Sequence, residues 1–287
     1  VFLPARQGDY VSKKVLIIGA GIARLAAVAI TGCAMVVMSG CSGSAAARPV
    51  AAPNAARFED KPIMMSGRSS SSRLEYLITM PSLSAGGARP PLIVFLHSLE
   101  ERGTDVKLLL NNPAGQGLGL AGHAMANADF PFATLSPLCP RHTYWTFLHG
   151  RLARLVREIV EIYGLDSARI FLSGVSMGGI ASWSLGMAEP ELFRAIAPIA
   201  GPVYTPPILP RYNRLKTVPV LAFHDRLDPS IPFDLAVDSV QKLNAQGGSG
   251  QLTEYNTGRH YIQDLIFAEG KLFSWFLGLN ATGHESE

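Results

Sequence analysis

The chain has 287 residues, with 25 basic and 22 acidic side chains and a formal net charge of +3. That excess is too small, and no basic stripe is dense enough, to point to nucleic acid. Three cysteines exclude a disulfide framework, while the length suits one domain of about 230 residues with a full core, preceded by a separate leader.

The leader comes first in chain order. "VLIIGAGIARLAAV" (15–28) begins like a dinucleotide-binding turn, an apolar run entering Gly19-Ala20-Gly21. The fingerprint then fails, because its third small residue is Arg24 and residues 35–55 hold no Asp or Glu to bind a ribose. An export signal fits better: Lys13, Lys14 and Arg24 precede the apolar run Leu25–Met38, and small residues follow. "MSGC" (38–41) resembles the lipobox of bacterial lipoproteins, which makes Cys41 the expected lipidated N-terminus; Cys33 in "ITGC" is the competing site. Residues 1–41 are therefore read as a signal peptide, and the Ala/Ser/Pro-rich residues 42–56 as a tether. The leader carries four of the basic residues and one acidic residue, so the remainder is formally neutral.

From Arg57 the pattern changes. "RFEDKPIMM" and "RLEYLITMP" read as strands around a loop "SGRSSSS" (66–72). "PLIVFLH" (91–97) and "FPFATLSP" (130–137) are short continuous apolar runs, the signature of buried strands. Residues 147–165 place Leu152, Leu155, Val156, Ile159, Val160 and Tyr163 on one helical stripe that Gly164 ends. "RIFLSG" (169–174), "AIAPIAG", "VPVLAFHD" and "QLTEYN" are further strands, with a helix over 233–245. Strands alternating with helices predict an α/β fold with a mostly parallel sheet over residues 57–279, followed by a polar tail, 280–287.

The chemistry is concentrated in "RIFLSGVSMGGIASWSL" (169–185), where a strand runs through Gly174-Val175-Ser176-Met177-Gly178 into a helix-forming segment. A G-x-S-x-G turn in that context is a nucleophile elbow. It lifts Ser176 above the sheet and aims the Met177 N–H and the helix N-terminus at a developing oxyanion. A serine needs a base to take its proton. Of the downstream histidines, His284 lies in the polar tail and His224 ends an apolar strand as a packed residue, which leaves His260, in a loop after a strand, as the base. Asp225 and Asp228 in "FHDRLDPSIP" both qualify as the acid that orients it.

At this point the chain resembles the α/β-hydrolase superfamily, and within it the esterase and "predicted peptidase" group near phospholipase/carboxylesterases and polyhydroxybutyrate-depolymerase-like esterases. The likeness runs through "LIVFLHSLEERG", "FPFATLSPLCP", "DSARIFLSGVSMGG", "EPELFRAIAPIAG", "VPVLAFHDRLDPSIP" and "GRHYIQDLIFAEGKLFSWFL". It implies Ser176 as nucleophile, Asp228 as acid and His260 as base, with oxyanion N–H groups from Leu99 and Met177. Two departures stand out. The family's HGxG reads His97-Ser98-Leu99-Glu100, so a Cβ and a carboxylate enter the oxyanion loop, and Asp225 replaces a usual glycine. Replacing Asp225 by glycine is accordingly expected to matter little. Glu101 and Arg102 are expected to brace the loop, and Trp145 and Trp183 to line an acyl pocket or to pack.

These residues together predict a bacterial extracytoplasmic lipoprotein that cleaves a small or polymeric carboxylic ester through an acyl-enzyme, without metal or cofactor. It meets the membrane through its lipid alone. A serine peptidase of the same fold and a non-catalytic binding lipoprotein with an impaired oxyanion loop are the alternatives.

Overall fold

The computed structural model describes residues 62–82, 88–111, 117–203 and 210–279. The expected signal, lipidation cysteines, tether and tail all lie outside these residues. Eight strands form one sheet: β1 (Ile63–Arg68), β2 (Glu75–Met80), β3 (Leu92–Leu96), β4 (Ala133–Pro137), β5 (Ile170–Val175), β6 (Ala195–Ile199), β7 (Val220–Asp225) and β8 (Gly250–Tyr255). Their order is β1-β2-β4-β3-β5-β6-β7-β8. The two β2 pairings are antiparallel and the other five are parallel.

The six helices described are α1 (Leu120–Ala126), α2 (His149–Tyr163), α3 (Met177–Ala188), α4 (Phe233–Ala245), α5 (Gln263–Glu269) and α6 (Lys271–Gly278). The α2 stripe forms as the spacing predicts, burying Leu152, Ala153, Leu155, Val156 and Ile159. Gly164 ends the helix at φ 62°, a left-handed cap that returns its N–H to Val160 and Glu161 carbonyls. The expected 66–72 loop is shorter than its composition implies. Ser66, Gly67 and Arg68 pair with Leu77, Tyr76 and Glu75 and belong to β1, because an edge strand needs only one pairing partner and tolerates polar residues on its open side.

The central strands are covered on both faces, which is why they read as unbroken apolar runs. On β3, Leu92, Val94 and Leu96 join the core beneath α2, α3 and α4. Ile93 and Phe95 join the opposite core with α1, α5 and α6, where Phe171 and Phe276 stack at 4.4 Å. Each such aliphatic or aromatic side chain contributes about 1.5–3 kcal/mol on burial. Trp145 and Trp183 are both fully enclosed in the first core, so packing, and not the lining of a pocket, is their role.

Candidate active site

The β5–α3 turn is dictated by lack of space. A Cβ on Gly178 would lie 1.8 Å from the Leu96 carbonyl oxygen, and one on Gly174 2.6 Å from both the Leu96 and Gly178 oxygens. The chain can pass only with glycine at both places. Ser176 between them adopts φ 56°, ψ −117°, a conformation an L-residue rarely takes and one that places its side chain at the crest of the turn. Its N–H donates to Ile199 at 2.9 Å and its carbonyl accepts from Ile180 at 2.9 Å. Met177 opens α3, and N–H groups in a first helical turn lack intrahelical acceptors.

The structure brings Ser176, His260 and Asp228 into one hydrogen-bonded chain. His260 Nε2 is 2.8 Å from Ser176 Oγ, and Nδ1 is 2.7 Å from Asp228 Oδ2. The proton positions follow from Asp228. Burial by itself raises a carboxyl pKa, but hydrogen bonds from His224 and His260 and from the Ile231 and Ser230 N–H groups outweigh it and hold this one well below the usual range. An ionised carboxylate only accepts, so Nδ1–H donates to Asp228, and the neutral ring's bare Nε2 accepts from the Ser176 hydroxyl.

Two nearby residues have roles the sequence did not disclose. His224 is buried as expected, yet its Nε2 lies 3.0 Å from the Ile231 carbonyl and 3.3 Å from Asp228 Oδ2, so it also fixes the carboxylate. Asp225 is fully buried and accepts four bonds: Leu227 N–H at 2.9 Å, Gly258 N–H at 3.1 Å, and both the N–H and the hydroxyl of Thr257 at 2.6 Å. It ties the end of β7 to the loop that carries His260. The expectation that a glycine would serve there equally well is corrected by these bonds.

The loop after β3 is built differently from the elbow. Among the described residues, the non-glycine residues with positive φ are Arg73, Ser176 and Ala200, so neither Ser98 nor Glu100 occupies a backbone conformation that requires glycine. His97 is buried; its Nδ1 donates to the Ser98 carbonyl at 2.6 Å and its Nε2 accepts the Cys139 N–H at 2.9 Å. Desolvation lowers its pKa to about 4. The Trp145 indole N–H donates to the His97 carbonyl at 3.0 Å, which backs the loop from below.

Ser98 Oγ lies 2.5 Å from a carboxyl oxygen of Glu100 and 2.5 Å from one of Glu101. One hydroxyl carries one proton, so the second contact needs a proton on a carboxyl. Burial raises the pKa of Glu101. For Glu100, burial is opposed and outweighed by bonds from Ser98 and Tyr261 and by the nearby His260, and its pKa falls. Burial favours the protonated form of Glu101 and the bonds favour the ionised form of Glu100, which suits a Ser98 hydroxyl that accepts from one and donates to the other, and Tyr261, the residue after His260, bonds the same cluster. Arg102 holds the loop from outside, donating to the Leu99 carbonyl at 3.2 Å and the Thr143 carbonyl at 3.0 Å, so Glu101 and Arg102 do brace it. Leu99, the expected oxyanion donor, is 40% exposed at the loop's tip. Among the described residues no group of three or more His, Cys, Asp or Glu side chains is placed to hold a metal. The buried Cys139 is a free thiol whose pKa burial pushes up to about 12.

Comparison with known proteins agrees with this architecture. A model of the phospholipase/carboxylesterase family matches residues 142–270. A probable feruloyl esterase C from Aspergillus oryzae is 24% identical over 196 residues, 67% of this chain and 68% of that protein. A solved thermostable esterase superposes with TM-score 0.60 at 24% identity, covering 77% of this chain, which in turn spans 64% of that one. Pyrococcus horikoshii acylaminoacyl peptidase gives TM-score 0.58 at 15% identity over 76% of this chain and 41% of its own. The chain has the α/β-hydrolase fold.

Proposed function

We propose that the protein is a serine esterase in which Ser176, His260 and Asp228 form the catalytic triad. The observation that carries this is the unbroken chain of short hydrogen bonds from Ser176 Oγ through His260 to Asp228. As Ser176 Oγ attacks the ester carbonyl, His260 Nε2 takes its proton, and the imidazolium that forms faces ionised Asp228. The tetrahedral oxyanion meets the Met177 N–H and the N-terminus of α3, with the Leu99 N–H as second donor. His260 then protonates the leaving alkoxide, an acyl-enzyme remains on Ser176, and water deprotonated by His260 releases the acid.

The match to the phospholipase/carboxylesterase family favours esters. The likeness to an acylaminoacyl peptidase keeps amides as the second reading, though that protein is covered to only 41%. A panel of p-nitrophenyl esters from acetate to palmitate, run beside a peptide anilide, tests it. Ester turnover exceeding anilide turnover at equal concentration is the expected result, and the reverse moves the protein to the peptidases.

The same reading includes export and lipid anchoring at Cys41, supported by the basic and apolar leader and by "MSGC". Metabolic labelling with a fatty-acid analogue should disappear in Cys41→Ala. Labelling that persists there but is lost in Cys33→Ala moves the site to "ITGC".

A further inference from the structure

Arginine is unevenly employed on this molecule. Arg157, Arg169, Arg214, Arg226 and Arg259 each sit against a carboxylate. Arg68, Arg73, Arg151 and Arg154 instead line one cavity of about 710 Å³, and none of the four has an ion pair with a carboxylate among the described residues. His142 adds a fifth nitrogen-bearing side chain, and Glu75 is the single acidic residue in the lining. Leu74 and Leu138 give the cavity an apolar surface. The Arg151 guanidinium is held in place because its Nε donates to the Ser72 carbonyl at 2.7 Å. A formally neutral domain has thus gathered four positive charges, one of them held in place, around one concave space.

The position of this cleft follows from the sheet. β1 ends at Arg68, β2 begins at Glu75, and Leu138 follows the end of β4. Because β2 is antiparallel to both neighbours, these three points share one edge. β4, β3 and β5 are parallel, so Ser176 lies beyond that same edge. The cleft spans β4 to β1, two to four strand spacings from β5, which is about 10 to 19 Å across the sheet. Its wall is continuous with the oxyanion loop: Gly103 donates to the Cys139 carbonyl at 3.1 Å, and Cys139 donates to His97 at 2.9 Å.

We propose that this cleft binds an organic ligand carrying two or more anionic groups, carboxylate or phosphate, and that the ligand is the acidic part of the ester substrate. Guanidinium forks match both oxyanions with paired N–H bonds. The volume lies in the range that encloses a whole small organic ligand and exceeds what one inorganic anion fills. The second half of the proposal rests on the esterase reading; the first half does not.

The test uses the full chain in neutral detergent, with a variant combining Arg73→Ala and Arg154→Ala, both exposed side chains, and circular dichroism to check folding. Calorimetric titration with tri-galacturonate, pyrophosphate and maltotriose reads binding without turnover. Binding of either anionic probe, absence of maltotriose binding and at least tenfold weakening in the variant are expected. Tri-galacturonate alone marks a carboxylate ligand, and pyrophosphate alone a phosphate ligand. Binding of neither, or unchanged binding in the variant, overturns the site even if the protein proves a good esterase. For the substrate link, acetylated tri-galacturonate should show a KM at least tenfold below that of acetylated maltotriose, an advantage lost in the variant while kcat on p-nitrophenyl acetate is unchanged. Equal KM values in the unaltered protein overturn that link and leave the binding site standing.

Discussion

The turn after β5 and the loop after β3 both border Ser176, and they achieve their shape by opposite means. In the elbow, shape comes from the backbone: Gly174 and Gly178 leave no room for a Cβ, and Ser176 is held at φ 56°. In the oxyanion loop, shape comes from side chains. Ser98, Glu100, Glu101 and Tyr261 share protons, His97 is tied to Cys139, and Arg102 closes the outside. The lesson is that a glycine pattern can be lost without strain where polar contacts take over the positioning, and cannot be lost where two backbones touch.

The largest expected effect breaks the elbow. Gly178→Ala places a methyl group 1.8 Å from the Leu96 carbonyl oxygen, and neither backbone can yield without parting β3 from β5. Loss of soluble folded protein, or destabilisation beyond the roughly 1–3 kcal/mol of ordinary overpacking, should appear in urea titration. Ser98→Gly in the loop removes a buried hydroxyl but brings no backbones into collision, and should cost only about 1–3 kcal/mol. Similar values for the two would erase the contrast.

Next comes the support beneath the histidine loop. Asp225→Gly leaves the N–H groups of Leu227, Thr257 and Gly258 without their acceptor. These donors belong to residues that water reaches, so the loss is that of bonds to a charged acceptor, about 1.5–3 kcal/mol by denaturation, together with reduced kcat as His260 loses its platform. A variant as stable and active as the original would return Asp225 to the role of a replaceable turn residue.

The loop has its own signature in acid. Burial lowers the His97 pKa in the folded state to about 4, below the ordinary 6.5. A depressed folded value means that the unfolded chain takes up the proton first. The stability is therefore complete above about 6.5 and is lost as pH falls toward 4, by about 3 kcal/mol. Urea midpoints at pH 7, 5 and 4 should show this slope, and His97→Gln should flatten it. An equal slope in both proteins would place the acid sensitivity elsewhere.

The smallest effect sharpens the role of Glu100. Its carboxylate lies near His260, so Glu100→Gln should lower kcat about fivefold by withdrawing a charge that favours the imidazolium, a change of about 1 kcal/mol, the scale of a charge pair near the surface. A rise in kcat would mean that the carboxylate acts chiefly against the oxyanion.

The sheet was legible because β3, β4, β5, β6 and β7 are buried on both faces and read as apolar runs, and α2 because its stripe is regular. The extent of β1 was not, since Ser66, Gly67 and Arg68 pair through backbone groups that composition does not record. Ser176 and His260 could be read from spacing, context and elimination. Asp228 needed the family likeness, because its separation from Asp225 depends on how β7 ends. Tyr261 and His224 were illegible as partners of the site: one meets a loop more than 150 residues earlier in the chain, and the other acts through a lateral contact of a residue whose burial already explained it. The arginine cleft is a tertiary product of the same kind, joining the β1–β2 hairpin to α2.

The central claim is that His260, oriented by Asp228, activates Ser176. The most direct test is the rate of covalent labelling by a fluorophosphonate probe, with the modified residue located by mass spectrometry, in the unaltered protein and in Asp228→Asn. The account predicts modification at Ser176 alone, and slowing in the variant by orders of magnitude, toward the roughly 10⁴-fold loss seen when a triad acid no longer fixes its histidine tautomer. An unmodified Ser176 in folded protein, or equal labelling rates in the two proteins, would contradict it.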